Sequence, residues 1–187
     1  VLYNALSKDE KVFICNKCSE EKSSKTVCTN CHSWNLNPLG IGTQTVVEYL
    51  EKIIKNDPEL INTKIFRLDK EGAKTKKGAE KIAAEFEENP GSILVGTEMA
   101  LFYIKEKVAL SVIASFDSLW SIPNFKMSER VIQLSLSIIE KTEKKLIIHI
   151  KNRTDEAILA LEDKNILSFI RQELDDRKKL GYPPFKR

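Results

Sequence analysis

The sequence lacks several features that would assign a function directly. No apolar run approaches the roughly 20 residues of a membrane-spanning helix. Neither the phosphate loop GxxxxGK[ST] nor the dinucleotide fingerprint GxGxxG occurs. Only two histidines are present, His32 and His149, so we expect no histidine-based catalytic centre. These absences argue against a membrane-spanning protein and against a nucleotide site that this chain could build alone.

Charge of one sign is also scarce. The 187 residues include 30 basic and 27 acidic side chains, for a net charge of +3. This balance permits a nucleic-acid partner without arguing for one. The opening segment VLYNALSKDE has no basic region followed by a long apolar stretch, so we expect no secretory signal and a cytoplasmic location. Because the chain does not begin with Met, we expect it to be part of a longer protein.

Four cysteines form two Cys-x-x-Cys pairs, Cys15 with Cys18 and Cys28 with Cys31. Each pair can present two thiolates to one ion, and the two pairs together complete a tetrahedron. The polar segment between them cannot form its own core, so a metal would supply folding free energy. Two disulfides or a redox pair are alternatives that suit a reducing cytoplasm less well. We predict one structural zinc ion, because four thiolates leave no open position for catalysis.

Segments typical of strands and helices alternate along the rest of the chain. The patterns predict strands over residues 1–6, 64–71, 93–95, 108–117 and 145–152. They predict helices over residues 75–88 and 127–145, one that begins at an N-cap Thr43 and ends before Asp57-Pro58, and mostly helix from 155 to 180. This alternation predicts an α/β fold, with a parallel sheet flanked by helices on both faces. Because ligands of such sheets bind at the carboxyl ends of the strands, attention falls on Gly42-Thr43, Asp69, Gly96-Thr97 and Asp117.

Four motifs follow the cysteine pairs in order: GIGTQ, GTEM at a strand end, PNFKMSERVIQL and RKKLGYPPF. Over nearly the whole chain, this series resembles the second helicase lobe of the primosomal protein N′ (PriA) family of bacterial replication-restart helicases. The resemblance implies a RecA-like helicase lobe at residues 1–10 and 38–165, with a zinc ribbon inserted at 11–37. It also implies that residues 166–187 form a helix and linker leading to a further C-terminal domain.

The resemblance implies a function as well as a fold. The family consists of superfamily 2, ATP-dependent DNA helicases that move 3′ to 5′ and act in replication restart. The implied partners are forked or single-stranded DNA, replication-restart proteins or single-stranded-DNA-binding protein, in the bacterial nucleoid, with no membrane. ATP and magnesium would bind only together with an intact N-terminal lobe. The implied nucleotide or DNA contacts are Thr43, Gly96, Thr97, Asp117, Ser128 and Gln133.

The sequence departs from the family pattern at three places. The family's ribbon usually holds eight cysteines and two zinc ions, so the four cysteines here imply a single shared zinc. Phe102-Tyr103 stand where the family carries Lys-Gly. Lys141 and Lys144 occupy both arginine-finger positions, and lysine lacks the planar fork that grips two phosphate oxygens. Loss of an arginine finger costs about 10³ to 10⁵ in rate, so the motor motifs are degenerate.

Three interpretations stay open from the sequence. The chain is a helicase lobe that acts with an N-terminal lobe, or it is a catalytically inactive pseudo-helicase that binds DNA or docks to the replisome. Under the first interpretation, a shift of the motifs by a few positions would let Lys105, Lys107 or Arg130 supply the missing cations. A generic α/β domain of unrelated function is the third interpretation, and it leaves the ordered motifs unexplained.

Overall fold

The computed structural model describes residues 2–5, 11–14, 21–23, 41–121, 126–150 and 156–185. The chain divides into two compact units, Val1–Gly42 and Thr43–Arg187. In the described ranges, every helix is too short or too polar to span a bilayer. The predicted division of the chain into lobe, ribbon and linker stays a prediction.

The described part of the first unit is a small antiparallel sheet. Its three strands are β1 (Leu2–Ala5), β2 (Lys11–Ile14) and β3 (Glu21–Ser23). β2 is the middle strand, with Phe13 opposite both Tyr3 of β1 and Lys22 of β3. β1 confirms the strand predicted over residues 1–6. Residues 15–20 connect β2 to β3 and include the first cysteine pair, but all four cysteines lie outside the described residues.

A parallel strand pair with two helices forms the first half of the second unit. Its elements are α1 (Thr43–Asn56), β4 (Ile65–Leu68), α2 (Lys76–Glu87) and β5 (Ile93–Gly96). β4 and β5 run parallel, with Ile65 opposite Ile93 and Leu68 opposite Gly96. α1 contacts both strands and α2 contacts β4. This is the βαβ unit that the alternating pattern predicts, since parallel neighbours need a crossover.

Local chemistry fixes both ends of α2. The Thr75 hydroxyl caps its start by accepting a hydrogen bond from the Gly78 N–H at 3.1 Å. Buried Ala79 and Ala83, one turn apart, present a narrow apolar stripe that packs with Leu68 of β4. After the helix, Gly91 has a φ of 84°, a conformation that favours glycine. The helix predicted over residues 75–88 is therefore confirmed, with its end at Glu87.

The second half of the second unit contains another parallel pair. Its elements are a 3₁₀ helix (Glu98–Phe102), β6 (Val108–Ile113), a second 3₁₀ helix (Phe116–Ser121), α3 (Met127–Lys141), β7 (Thr142–Ile148), α4 (Glu156–Glu162) and α5 (Ile166–Leu180). β6 and β7 run parallel, with Ile113 opposite Ile148. Among the described residues this pair and β4–β5 form separate sheets. The α/β class is confirmed, and the arrangement is compatible with a RecA-like lobe.

The boundary between α3 and β7 differs from the prediction. The sequence pattern extends the helix to Lys145, but α3 ends at Lys141 and β7 begins at Thr142. Thr142 has an extended backbone, and its hydroxyl lies 2.6 Å from both the Ser111 hydroxyl and the Ile138 carbonyl oxygen. Glutamate and lysine favour a helix locally, but pairing with β6 overrides that preference.

Each parallel pair packs its own apolar cluster. Leu68, Ala79 and Ala100 lie in the cluster beside β4–β5. Phe116 and Val131, each 1% exposed, lie in the cluster beside β6–β7. Among the described residues of the second unit, the buried apolar side chains thus form two clusters, one beside each strand pair.

The buried Arg177 side chain links the last helix, α5, to α3. The Arg177 side chain reaches Glu129 of α3 at 3.5 Å and Glu173 of its own helix at 3.4 Å. Gly181, with a φ of 70°, ends α5 and lets the Tyr182 N–H donate to the Arg177 carbonyl at 2.8 Å. Residues of the RKKLGYPPF motif thus end α5 at Gly181 and connect it to α3 through Arg177.

Candidate functional site

The carboxyl ends of β4 and β5 lie side by side and bring several predicted site residues together. Asp69 follows β4, and Thr97 follows β5. The Thr97 N–H donates to the carbonyl oxygen of Leu68, the last residue of β4, at 3.3 Å. Thr43 begins α1 and reaches the same edge through its side chain. We call these residues, with Gly96, the strand-end site.

Asp69 is the centre of the strand-end site. Its side chain is buried, and one carboxylate oxygen accepts from the Glu71 and Gly72 N–H groups at 3.0 and 2.6 Å. The other oxygen accepts from the Thr43 hydroxyl and from Arg67 Nε, the latter at 2.7 Å. Thr43 is the first residue of α1 rather than the predicted N-cap, and its hydroxyl donates to Asp69, the residue that follows β4. The structure joins the GIGTQ motif to Asp69 directly.

The protonation of Asp69 follows from these contacts. Burial alone would raise the pKa of its carboxyl group, because a low dielectric disfavours the charged form. Hydrogen bonds from Thr43, Gly72 and Arg67, together with the charge of Arg67, outweigh burial and hold the pKa below its ordinary value of 3.8. Asp69 is thus a firmly ionised acceptor, unsuited to act as a general acid at neutral pH.

Arg67 is a member of the site that sequence reasoning missed. Its guanidinium donates to Asp69, to Glu71 at 2.7 Å and to Gln44 of the GIGTQ motif at 3.4 Å. Burial would lower its pKa, but the two carboxylates raise it further above its ordinary value. The signal that could have identified Arg67 is its place two residues before Asp69, on the same face of a strand. Since three acceptors already surround it, Arg67 holds the site together.

Gly96 and Thr97 form an open surface beside this network. A side chain at position 96 would bring its Cβ within 2.8 Å of Ala100 Cβ and 2.9 Å of the Leu68 carbonyl oxygen, so only glycine fits. Thr97 is exposed, and its hydroxyl makes no cap hydrogen bond to the following 3₁₀ helix. Glu98 pairs with Arg130 of α3 at 2.8 Å, which links the GTEM and SERVIQL motifs.

The other predicted nucleotide or DNA contacts lie further along the chain. Ser128 is half-buried in the first turn of α3. Gln133 is exposed on that helix, and its amide donates to Glu129 at 3.4 Å. Asp117 is half-buried in the 3₁₀ helix that follows β6. In the described part of the chain, no hydrogen bond joins Ser128 or Gln133 to the strand-end site, and their contacts with ligands stay predictions.

The two predicted arginine-finger positions have different surroundings. Lys141 ends α3, and its ammonium donates to the Ile104 carbonyl oxygen at 2.9 Å and to that of Lys105 at 3.4 Å. Lys144 lies in β7 with an exposed side chain. Of the two ammonium groups, that of Lys141 is engaged by the protein itself.

The predicted ligands Cys15, Cys18, Cys28 and Cys31 lie outside the described residues. Among the residues that are described, His, Cys, Asp and Glu side chains form no cluster able to hold a metal ion. The donor set still fits zinc chemically, since two pairs of thiolates match its tetrahedral preference.

Comparison with known proteins identifies relatives along nearly the whole chain. No protein-family model matches it. The chain is 29% identical to replication restart protein PriA of Borreliella burgdorferi, across 96% of the chain and 27% of that relative. It is 28% identical to PriA of Helicobacter pylori (94% and 28%) and 25% identical to PriA of Bacillus subtilis (91% and 21%). The chain thus spans 21 to 28% of the length of these relatives. The predicted resemblance to the PriA family is confirmed.

Proposed function

We propose, from its relationship to the PriA family over more than nine-tenths of its length, that this chain is the second lobe of an ATP-dependent 3′ to 5′ DNA helicase that acts in replication restart. It would be a RecA-like lobe with an inserted zinc ribbon. Its place of action would be the nucleoid in the bacterial cytoplasm. Its partners would be forked or single-stranded DNA and replication-restart proteins or single-stranded-DNA-binding protein.

Within the structure, the strand-end site supports the DNA-binding part of this proposal. Hydroxyl groups and backbone N–H groups at strand ends position nucleic-acid phosphates without reading sequence. Thr97 has the exposed hydroxyl at this edge, so we assign it the phosphate contact. The Thr43 hydroxyl is held by Asp69, so we assign Thr43 a positioning role at the start of α1.

Binding of a nucleotide would require residues from outside this chain. ATP with magnesium would bind between this lobe and an N-terminal lobe that carries the phosphate loop. The strand-end site contributes no base, because Asp69 is saturated by four donors and its pKa lies below the ordinary value. We therefore assign the site to binding and positioning rather than to proton transfer.

A catalytically inactive pseudo-helicase is the second candidate, and one contact favours it. The Lys141 ammonium already donates to two carbonyl oxygens, so contact with a phosphoryl group would require it to leave them. In this candidate the chain binds DNA or docks to the replisome without supporting hydrolysis.

The zinc ribbon fits either candidate. Four thiolates would hold one zinc ion, which would supply the folding free energy that a short polar segment lacks. Strands β2 and β3 flank the first cysteine pair in sequence, as expected where a knuckle joins two strands.

Two measurements test the proposal. Binding of a fluorescent single-stranded oligonucleotide to the chain tests the site: Thr97→Ala should weaken it about tenfold, as for a hydrogen bond to a charged group, and Thr97→Ser should restore it. Thr63→Ala, at the opposite end of the same strand pair, is the matched control. An unchanged affinity in Thr97→Ala would contradict the proposed contact.

ATP hydrolysis separates the two candidates. It is measured on the protein as the cell makes it, with and without single-stranded DNA. Stimulated hydrolysis would exclude the pseudo-helicase, and the absence of hydrolysis with DNA binding intact would exclude the motor.

A further inference from the structure

The side chain of Phe102 is unusual in how it is presented. It is 80% exposed, more than any other large apolar side chain in the part of the chain that the structure describes. Its neighbours Tyr103 and Ile104 pack into the apolar cluster beside β4–β5. A single exposed apolar residue is ordinary on a protein surface. What sets Phe102 apart is that the backbone on its C-terminal side is anchored.

Backbone hydrogen bonds give the first part of that anchor. The 3₁₀ helix Glu98–Phe102 ends at Phe102, and the Ala100 carbonyl oxygen accepts from the N–H groups of Tyr103 and Ile104, both at 3.1 Å. Phe102 therefore lies between a helical turn and a buried segment, and its Cα position is fixed from both sides.

Two charged side chains hold the loop that follows. Glu87, the last residue of α2, accepts from the N–H groups of Lys105 and Glu106 at 2.6 and 3.0 Å. Lys141, the last residue of α3, donates to the carbonyl oxygens of Ile104 and Lys105. The donors and acceptors of one short loop are thus satisfied by the ends of two different helices. We call Glu87 and Lys141 the loop clamp.

The charges around Phe102 favour a nucleic acid over an apolar protein surface. Lys105 and Lys107, three and five residues further along, are exposed, and within the described ranges neither ammonium forms an ion pair. Glu106 lies between them, so the segment carries a net positive charge. A protein interface would surround the ring with further apolar side chains. Here the ring is followed along the chain by two exposed cations, and an aromatic side chain near basic residues is the combination found in proteins that bind single strands.

We propose that Phe102 stacks on a base of single-stranded DNA and that the loop clamp positions it. The inference rests on the proposed function, and it assigns the base contact to a residue that replaces the family's Lys-Gly pair. Lys105 and Lys107 would contact the adjacent phosphates. Stacking is tolerant of sequence, because every base has a planar face.

Affinity for single-stranded DNA tests the stacking contact. In the full chain, Phe102→Ala should weaken binding of oligo(dT) about 5- to 150-fold, with the salt dependence of the affinity unchanged. Lys105→Gln should instead reduce that salt dependence. Phe102→Trp should retain binding and lose tryptophan fluorescence when DNA is added. Leu167→Ala, which removes a side chain that is 70% exposed on α5, is the control and should bind as wild type.

The outcomes separate this inference from the proposed function. If wild type and Phe102→Ala bind DNA equally well, the stacking contact is overturned and the DNA function stands. Phe102 would then be assigned to a protein interface. No binding by wild type at low salt would overturn the DNA function and the inference together.

The loop clamp has a test of its own. Glu87→Gln keeps an oxygen that accepts from the two N–H groups, so it should retain binding and the fluorescence change in the Phe102→Trp background. Glu87→Ala removes that oxygen and should lose a large part of both. Equal behaviour of the two variants, with thermal unfolding unchanged, would overturn the positioning role.

Discussion

Replacing Asp69 should destabilise the second unit more than any exposed substitution. Asp69→Ala removes four hydrogen-bond contacts, leaves the Glu71 and Gly72 N–H groups without their acceptor and takes one of three acceptors from Arg67. Loss of one member of a buried ion pair costs about 3 to 5 kcal/mol. Arg67 keeps Glu71 and Gln44 and is 25% exposed, so we expect a loss of about 3 kcal/mol in the free energy of unfolding. That is a large fraction of the roughly 5 to 15 kcal/mol typical of a domain.

Urea unfolding followed by far-ultraviolet circular dichroism gives the measurement. Asp69→Asn keeps the shape but loses the charge, so it should cost about half as much as Asp69→Ala. Asp163→Asn, on an exposed residue that follows α4, is the control and should change the free energy of unfolding by less than about 0.5 kcal/mol. A loss below about 1 kcal/mol in Asp69→Ala would refute the argument that Asp69 organises this edge.

The same substitution predicts a dependence on pH. The folded-state pKa of Asp69 lies below its ordinary value of 3.8. Its ionised form therefore stabilises the fold fully above the unfolded pKa, and this stabilisation is lost as the pH falls through the folded value. The difference in stability between wild type and Asp69→Asn should be constant near pH 7 and shrink below about pH 4. A difference that grows on acidification would contradict the hydrogen-bond assignment.

Three further outcomes are expected. Gly96→Ala should lower the free energy of unfolding by about 1 to 3 kcal/mol in urea denaturation, because its Cβ would meet Ala100 and the Leu68 carbonyl oxygen; wild-type stability would show that the strand end can shift. Phe116→Ala should cost about 3 to 5 kcal/mol and Phe102→Ala less than about 0.5, and equal losses would contradict the assigned core. Metal analysis of the purified chain should find one zinc ion, and two ions, or none with four free thiols, would contradict the shared site.

The sequence predicted best those elements whose signals are local. The predicted ends of α1 before Asp57-Pro58 and of α2 at residue 88 each depend on a few neighbouring residues, and both helices end within one residue of the predicted positions. The end of α3 could not be predicted in this way. Thr142 begins a strand because β6 is available as a partner, and a local pattern does not contain that information.

The residues of the candidate site show the same difference between local signals and contacts that form only on folding. Asp69 and Thr97 could be selected because parallel sheets present ligand-binding groups at strand ends. The contact of Asp69 with Thr43 joins residues 26 positions apart, and that of Lys141 with Ile104 joins residues 37 apart. Both depend on the placement of side chains after folding, so no spacing rule identifies them. The resemblance to the family assigns Lys141 a contact with phosphate. In the structure its ammonium instead donates to two backbone carbonyl oxygens.

The spacing of the two parallel pairs has a consequence for how the second unit assembles. Ile65 pairs with Ile93 and Ile113 with Ile148, so each pairing closes a loop of about thirty residues at a cost of about 3 kcal/mol plus a constant. Each crossover packs against its own apolar cluster, so neither pair needs the other to bury its helix. On the ribosome, β4, α2 and β5 can therefore associate before β6 has left the exit tunnel. The strand-end site would then be complete while Arg130 of α3, which pairs with Glu98 of the GTEM motif, is still inside the exit tunnel.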